Sequence, residues 1–118
     1  MDYPDDEVRL RWRRFDGSVL LAEEEGEPVG LAAFAGCWLH GLYVVPERWG
    51  SSVAGALHDA VVVALADCPE LHLWVLTENQ RARAFYERRG WRPDGTTRVV
   101  PYPPHPVDLG YTLVHEEP

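Results

Sequence analysis

The stretch that decides the fold is residues 71–91, LHLWVLTENQRARAFYERRGW. Its first six residues alternate between two sets of side chains in the way that a strand requires, so we predict a strand over residues 71–76. Thr77 and Gln80 fit the capping-box pattern, in which Ser or Thr is followed three residues later by Glu or Gln. The pattern predicts a helix over residues 78–89.

Gly90 is typical of the residue that follows the end of a helix, and the arginines before it suit the last turn. Asn79 and Tyr86 are seven residues apart, so about two turns bring them onto one face, roughly 10 Å apart along the axis. That face would place an amide and a phenol along one groove. The alternative is a helix whose tyrosine belongs only to the core, since tyrosine is often partly buried.

A second signal precedes the first. Residues 39–45, LHGLYVV, are rich in β-branched and aromatic side chains and predict a strand. A turn over residues 46–48 and the small residues of WGSSVAGAL follow, and an apolar stripe at helical spacing predicts a helix over residues 51–66. The free N–H groups at such a helix start favour an anion. The loop matches neither the Walker A nor the dinucleotide-binding glycine pattern.

Together, LYVVPERWGSSVAGAL and ENQRARAFYERRGW resemble the GCN5-related N-acetyltransferase (GNAT) superfamily over residues 19–115. That family has a strand, a Gln/Arg-x-x-Gly-x-Gly/Ala loop, a helix, a strand, and a helix with Asn and Tyr seven residues apart. The first motif departs from the pattern, because Trp49 stands where Gln or Arg is usual and Ser52 replaces the first loop glycine. Ala54 takes the permitted Gly/Ala position. Serine at position 52 would strain the loop if that residue needed a positive φ.

The resemblance implies acetyl transfer from acetyl-CoA to an amine of a small molecule or peptide. The pyrophosphate would bind the amides of residues 50–55, with the Ser51 and Ser52 hydroxyls adding contacts. A strand bulge at Leu42–Val44 would free main-chain groups to pair with the pantetheine arm, and one of those N–H groups would polarise the thioester carbonyl. Asn79 would hold the arm, and Tyr86 would protonate the departing thiolate. The implied acetyl-CoA site comprises Leu42, Tyr43, Val44, Gly50, Ser51, Ser52, Val53, Ala54, Gly55 and Asn79.

The general base is less defined. Some members of the superfamily use a Glu on the strand where Trp74 stands here. The LHGLYV segment resembles that of arylalkylamine N-acetyltransferases, in which a strand histidine assists deprotonation, and this maps to His40. A histidine at a strand is also often only a hydrogen-bonded residue. Glu47, Glu78 and His105 are weaker candidates, and an ordered water chain is a further alternative.

The remaining pattern predicts one α+β domain over residues 1–118, with a mixed, mainly antiparallel sheet flanked by helices. Residues 19–22 and 29–34 predict a hairpin, and residues 92–100 and 108–115 predict two final strands joined by the proline-rich PYPPHP. In the superfamily the corresponding loop often borders the acceptor site. For residues 5–15, a helix and a strand both fit, and charges that complement the helix dipole favour the helix.

Composition excludes several classes of protein. A hydrophobic fraction of 46% and five tryptophans predict a folded globule, and no apolar run reaches the ~20 residues of a membrane span. A net charge of −8 disfavours nucleic acid as the main partner. The five histidines and two cysteines lack metal-ligand spacing, so we expect no metal site. Because Cys37 and Cys68 are too few for a disulfide framework, we expect a reducing cytoplasm. Basic residues that are all Arg suggest a bacterial source.

The resemblance is incomplete at the N-terminus, where residues 1–17 replace the usual strand and two helices that form one wall of the acceptor pocket. We therefore expect uncovered apolar surface around Leu20, Leu21, Leu31 and Phe34. Such surface usually marks an interface, so we predict a homodimer. Two alternatives stay open: a degenerate GNAT-like module that binds acetyl-CoA or only dimerises, and a fragment of a longer reading frame.

Overall fold

The computed structural model describes residues 10–15 and 19–115. These residues belong to two compact units, one of which ends at residue 66 and the other of which begins at residue 67. The first unit holds the strand–loop–helix motif, and the second holds the helix with Asn79 and Tyr86.

In its described part, the first unit is an antiparallel sheet with one long helix. The strands follow each other in chain order, and each pairs with the next. They are β1 (Leu10–Phe15), β2 (Val19–Glu24), β3 (Glu27–Ala35) and β4 (Trp38–Val44), followed by a single 3₁₀ turn (Pro46–Arg48) and the helix α1 (Val53–Ala64). The predicted hairpin, strand and helix are confirmed, with ends that shift by a few residues.

The helix favoured for residues 5–15 is wrong where the structure describes it. Residues 10–15 form β1, which pairs with β2 from Leu10 opposite Glu24 to Phe15 opposite Val19. Strand pairing gives every second main-chain group of this segment a hydrogen-bond partner, whereas a short helix is marginal in water unless it packs. Residues 5–9 lie outside the described part of the chain.

Helix α1 packs against β2, β3 and β4. Its inner side chains Val53, Leu57 and Val61 are almost fully buried, and so are Leu20 and Phe34 of the sheet. The expectation that Leu20 and Phe34 lack cover is therefore wrong. Leu21 and Leu31 are only half-buried, because alternate residues of a strand point to the opposite face.

The second unit contains β5 (Glu70–Leu76), α2 (Gln80–Arg88), β6 (Arg92–Val99) and β7 (Val107–Val114). β7 is antiparallel to β5 on one side and to β6 on the other. The alternating pattern of β5 is confirmed, since its apolar residues 71, 73 and 75 are buried. Gly90 adopts φ +98° after α2, as predicted for the residue that ends this helix.

Both cysteines, Cys37 and Cys68, are disulfide-bonded. The reasoning from cysteine content to a reducing compartment therefore loses its basis, because a stable disulfide is typical of oxidising environments. Within residues 10–15 and 19–115, no helix is long and apolar enough to span a membrane.

Candidate functional site

The loop before α1 accepts the substitution at position 52 without backbone strain. Ser52 has φ −88°, in the range that any residue adopts. Gly50 instead carries the positive φ, at +82°, and has open space around its Cα. The expected strain at Ser52 does not arise, because the chain turns through Gly50.

The first turn of α1 presents main-chain donors. The first hydrogen bond into the helix runs from Ala56 N–H to Ser52 O at 3.0 Å, and Val53 N–H reaches Ser51 Oγ at 3.3 Å. In the described part of the chain, the N–H groups of Ala54 and Gly55 have no acceptor. Because the helix dipole adds positive potential here, the turn suits an anion.

The two loop serines differ in what they offer. Ser51 Oγ donates to Arg48 O at 2.5 Å and so belongs to the loop itself. Ser52 Oγ is buried and has no partner among the described residues. A buried hydroxyl without a partner is costly, and an anion at the helix start would accept its proton. Of the two predicted hydroxyl contacts to phosphate, the geometry favours the one from Ser52.

Trp49 ties the loop to the end of β4. Its indole Nε1 donates to Val44 O at 2.8 Å, while the side chain remains 55% exposed. Arg48, its neighbour, pairs with Glu24 at 2.6 Å and so joins the 3₁₀ turn to the β2–β3 hairpin. The tryptophan in the Gln/Arg position therefore anchors the loop to the end of β4.

β4 has a bulge, but it lies at His40 and not at Leu42–Val44, where the resemblance places it. Its register against β3 moves from Gly41 opposite Ala33 to Leu39 opposite Phe34, which leaves His40 as the extra residue. Because Val45 N–H bonds to Val29 O, the main-chain groups of Tyr43 also face β3, as every second residue does.

Leu42 and Val44 therefore direct their N–H and C=O groups away from β3, and Tyr43 does not. Of the three residues predicted to line the pantetheine arm, Leu42 and Val44 have main-chain groups that do not pair with β3. The Tyr43 side chain is 54% exposed and lies on the sheet face with Leu31. The His40 side chain is exposed at the bulge and stacks on Trp38, with ring centroids 6.4 Å apart.

Asn79, and not Thr77, caps α2. The Asn79 Oδ1 accepts a hydrogen bond from Ala82 N–H at 3.1 Å. Thr77 Oγ1 donates to Val107 O at 2.7 Å, so its hydroxyl serves the sheet and the predicted capping box is not formed. Asn is as good a cap as Thr. Capping uses the oxygen of the Asn79 amide and leaves its NH₂ group for another partner.

Tyr86 is buried near the C-terminal end of α2 and is 8% exposed. Its ring meets Phe85 and Trp91 edge to face, with centroids 5.3 and 5.7 Å away. Burial raises the pKa of Tyr86 to about 12, so the phenol stays protonated at neutral pH. Its hydroxyl has no hydrogen-bond partner within the described residues. The Tyr86 phenol is therefore neutral, and its ring is fixed by its aromatic neighbours.

Hydrogen bonds between α2 and β7 involve three residues that the sequence analysis did not identify: Arg83, Glu87 and Tyr111. The Tyr111 hydroxyl donates to Glu87 Oε2 at 2.6 Å and accepts from Arg83 Nε at 3.0 Å. Arg83 also donates to Thr77 O at 2.9 Å. Burial, and then the bond to Glu87, raise the pKa of Tyr111. The only sequence signal was Arg83 and Glu87 four residues apart on one helix face.

An α+β fold, a helix that begins with unpaired main-chain donors and a helix that carries Asn79 and Tyr86 seven residues apart are features of the acetyltransferase class of folds. The sequence pattern of the acetyltransferase (GNAT) family matches residues 1–91. The chain belongs to this family.

Curated relatives agree. An uncharacterized N-acetyltransferase of Mycobacterium tuberculosis is 34% identical over 86 residues, 67% of this chain and 55% of that protein. The peptidyl-lysine N-acetyltransferase YjaB of Escherichia coli is 31% identical over 88 residues, 71% of this chain and 58% of that protein. The chain thus spans a little over half the length of these relatives.

Solved structures share the fold. The solution structure of apo YjaB has a TM-score of 0.70 at 26% identity and covers 83% of this chain and 65% of that chain. Ard1 from Thermoplasma volcanium has a TM-score of 0.76 at 19% identity, with 89% and 75% covered. The predicted GNAT-like fold class is confirmed.

Proposed function

We propose that this chain transfers an acetyl group from acetyl-CoA to an amine. The observation that carries the proposal is the start of α1, where the free N–H groups of Ala54 and Gly55 accompany the partnerless hydroxyl of Ser52. Each of these groups has a hydrogen to donate, which is what a pyrophosphate requires. Family membership supports acetyl-CoA as the donor of the group.

Acetyl-CoA supplies an activated thioester, and residues of this chain bind and polarise it. We assign its pyrophosphate to the loop and first turn at residues 50–55. We assign its pantetheine arm to the main-chain groups of Leu42 and Val44 that do not pair with β3, and to the NH₂ group of Asn79. One of these β4 N–H groups would stabilise the negative charge that develops on the carbonyl oxygen.

The chemical step forms a C–N bond and breaks the C–S bond. The neutral amine attacks the carbonyl carbon, and the electron pair of the C–S bond leaves with sulfur. Tyr86, protonated at neutral pH, gives its proton to the thiolate, and the proton that the attacking nitrogen releases as the amide forms restores the phenol. We propose His40 as the group that takes a proton from the incoming ammonium, because its exposed ring sits at the β4 bulge.

The alternative, a catalytically degenerate module, is suggested by Trp49 and Ser52, which depart from the family motif. Ser52 has an unstrained φ, and Trp49 holds the loop through its bond to Val44 O. Neither substitution argues for a lost function. As acceptor we propose an amine of a small molecule or peptide; a related protein that is named a peptidyl-lysine N-acetyltransferase supports the peptide class.

Acetyl-CoA is expected to bind and to raise the melting temperature. A ligand present at 100 times its Kd, and selective for the native state, stabilises by about 2.7 kcal/mol. Titration calorimetry with acetyl-CoA, and with S-acetylpantetheine as the control that lacks the pyrophosphate, checks this. We expect the control to bind far more weakly, and no heat with millimolar acetyl-CoA would refute the proposal.

We also propose a homodimer through the sheet face opposite α1. Leu21, Leu31 and Tyr43 are cross-strand neighbours on that face, and Tyr43 is 54% exposed. Sedimentation and light scattering over a dilution series are expected to show a dimer at micromolar concentration, weakened by Tyr43→Asp, with exposed Tyr102→Asp as the matched control. A folded, active monomer throughout would contradict the dimer.

A further inference from the structure

Arg48 connects the β2–β3 hairpin to the loop that precedes α1. Its guanidinium donates from Nε at 2.7 Å and approaches from Nη2 at 2.6 Å, in both cases to Oε1 of Glu24. The Glu24 side chain is only 15% exposed, and the Arg48 side chain has no other partner among the described residues. Hydrogen bonds between charged groups are stronger than neutral ones. The pair therefore holds the Arg48 side chain against the hairpin.

The hairpin holds the other end of the same turn through its main chain. The register of β2 against β3 leaves Val29 without a partner in β2, and the Val29 carbonyl oxygen accepts a hydrogen bond from Val45 N–H at 3.0 Å. Val45 directly precedes the 3₁₀ turn, which ends at Arg48. The turn is thus attached to the hairpin at both ends, at one end by the backbone and at the other by the ion pair.

The main chain of Arg48 continues this connection into the helix. Its carbonyl oxygen accepts from Ser51 N–H at 3.1 Å and from the Ser51 hydroxyl at 2.5 Å. The Ser51 hydroxyl oxygen accepts in turn from Val53 N–H at 3.3 Å, and Val53 is the first residue of α1. One path of hydrogen bonds therefore runs from the hairpin carboxylate through Arg48 and Ser51 to the first turn of the helix.

We propose that Glu24 is a positioning residue for the pyrophosphate of acetyl-CoA, which acts through Arg48 and touches no part of the ligand. The donors at the start of α1 bind an anion best when they are already held in the geometry that it needs. The path from Glu24 fixes the loop that carries these donors. The identity of the ligand rests on the proposed function, whereas the connection from hairpin to loop does not.

The sign of this effect separates positioning from simple electrostatics. The charge of Glu24 repels an anion, so through its field alone this carboxylate would weaken the binding of acetyl-CoA. If Glu24 did no more than keep Arg48 away from the phosphates, its removal would also tighten binding, because a free cation would be added beside the ligand. A positioning role predicts the reverse, a loss of affinity when the negative charge is removed.

Glu24→Gln tests this sign. Acetyl-CoA affinity in calorimetry is expected to fall by roughly three- to tenfold, in the lower part of the range for residues coupled in one network. Glu27→Gln is the matched control, because Glu27 lies opposite Glu24 on the same hairpin, is exposed and has no side-chain partner among the described residues. It should leave the affinity unchanged or slightly higher. Tighter binding by Glu24→Gln, or equal effects of the two substitutions, would overturn the proposal.

Arg48→Met completes a double-mutant cycle with Glu24→Gln. If Glu24 acts through Arg48, the double variant should bind acetyl-CoA no more weakly than either single variant, because the path is broken only once. With an amine acceptor that the parent protein turns over, the loss should appear in KM for acetyl-CoA, and kcat at saturation should be unchanged. Additive losses, or a fall in kcat alone, would contradict a positioning role.

Amide resonances of the ligand-free protein separate the positioning role from the proposed function. In Glu24→Gln, the NMR signals of residues 49–53 should shift while those of residues 60–64 stay in place, and Glu27→Gln should move neither set. Arg48→Met gives the same test if Glu24→Gln does not fold. If acetyl-CoA binds the parent protein and the signals of residues 49–53 do not move, the positioning role fails alone. If they move and the parent protein gives no heat with acetyl-CoA, the transferase proposal fails and the connection stands.

Discussion

Tyr86→Phe is expected to lower kcat by roughly 10²–10⁴-fold, the usual contribution of a general acid. The substitution removes only the hydroxyl, and the ring would keep its edge-to-face contacts with Phe85 and Trp91. Acetyl-CoA affinity should therefore change little. The measurement is release of CoA, followed through its thiol, with acetyl-CoA at saturation and an amine acceptor that the parent protein turns over.

The matched control for this prediction is Tyr102→Phe. Tyr102 belongs to the same unit and is 72% exposed, so loss of its hydroxyl should affect neither kcat nor stability. If Tyr86→Phe folds, binds acetyl-CoA and turns over at the parent rate, Tyr86 serves the core alone and another group protonates the thiolate.

The pH dependence of the rate of the parent protein gives a second test of the role of Tyr86. Burial raises the pKa of Tyr86 to about 12, against about 10 for an ordinary tyrosine. The catalytically required form is protonated, so the loss of rate due to this group should have its midpoint near pH 12 and not near pH 10.

The free energy of unfolding depends on the protonation of Tyr86 in the same direction as the rate does. The fold favours the neutral phenol, so its contribution is complete below pH 10 and is lost as the pH rises towards 12, on the order of 2–3 kcal/mol. Denaturant unfolding between pH 9 and 11 should show a steeper loss for the parent protein than for Tyr86→Phe.

Helices and strands could be predicted from the sequence wherever the residue pattern fitted only one type of secondary structure. The alternation in β5, the apolar stripe of α1 and the glycine after α2 each had a single structural solution, and the structure has all three. Residues 10–15 fit two periods at once. Their state was decided by pairing with β2, a contact distant in sequence that local charge patterns do not report.

The site could be predicted as a set of residues but not as a set of roles. Thr77 and Asn79 are both good caps, and which one caps α2 depends on Val107, 30 residues from Thr77, which takes the threonine hydroxyl. Whether the backbone is strained at Ser52 depends on its φ. The positive φ of the loop occurs at Gly50, and Ser52 has a negative φ that any residue can adopt. The role of Tyr111 needed the β7 register that brings its hydroxyl to Arg83 and Glu87.

Gly30→Ala is expected to destabilise the protein by roughly 1–3 kcal/mol, the cost of overpacking. A Cβ at this position would lie 2.8 Å from Leu57 Cδ1 of α1 and 2.9 Å from the Tyr43 carbonyl oxygen. The leucine side chain can move, but the carbonyl oxygen is part of β4, so β3 and β4 must shift relative to each other beneath the start of α1. Because α1 presents the donors at its start, we expect weaker acetyl-CoA binding in calorimetry.

Gly41→Ala is the control that separates packing from backbone effects. Gly41 lies on β4, has no neighbouring atom within 4 Å of an added Cβ and has no positive φ. Alanine in a strand is otherwise favoured over glycine by roughly 0.5–1 kcal/mol, so this variant should be neutral or slightly more stable. Unfolding midpoints in urea compare the two variants. Equal midpoints would mean that α1 adjusts to the extra methyl group, and close approach at Gly30 would then not be what fixes the start of α1.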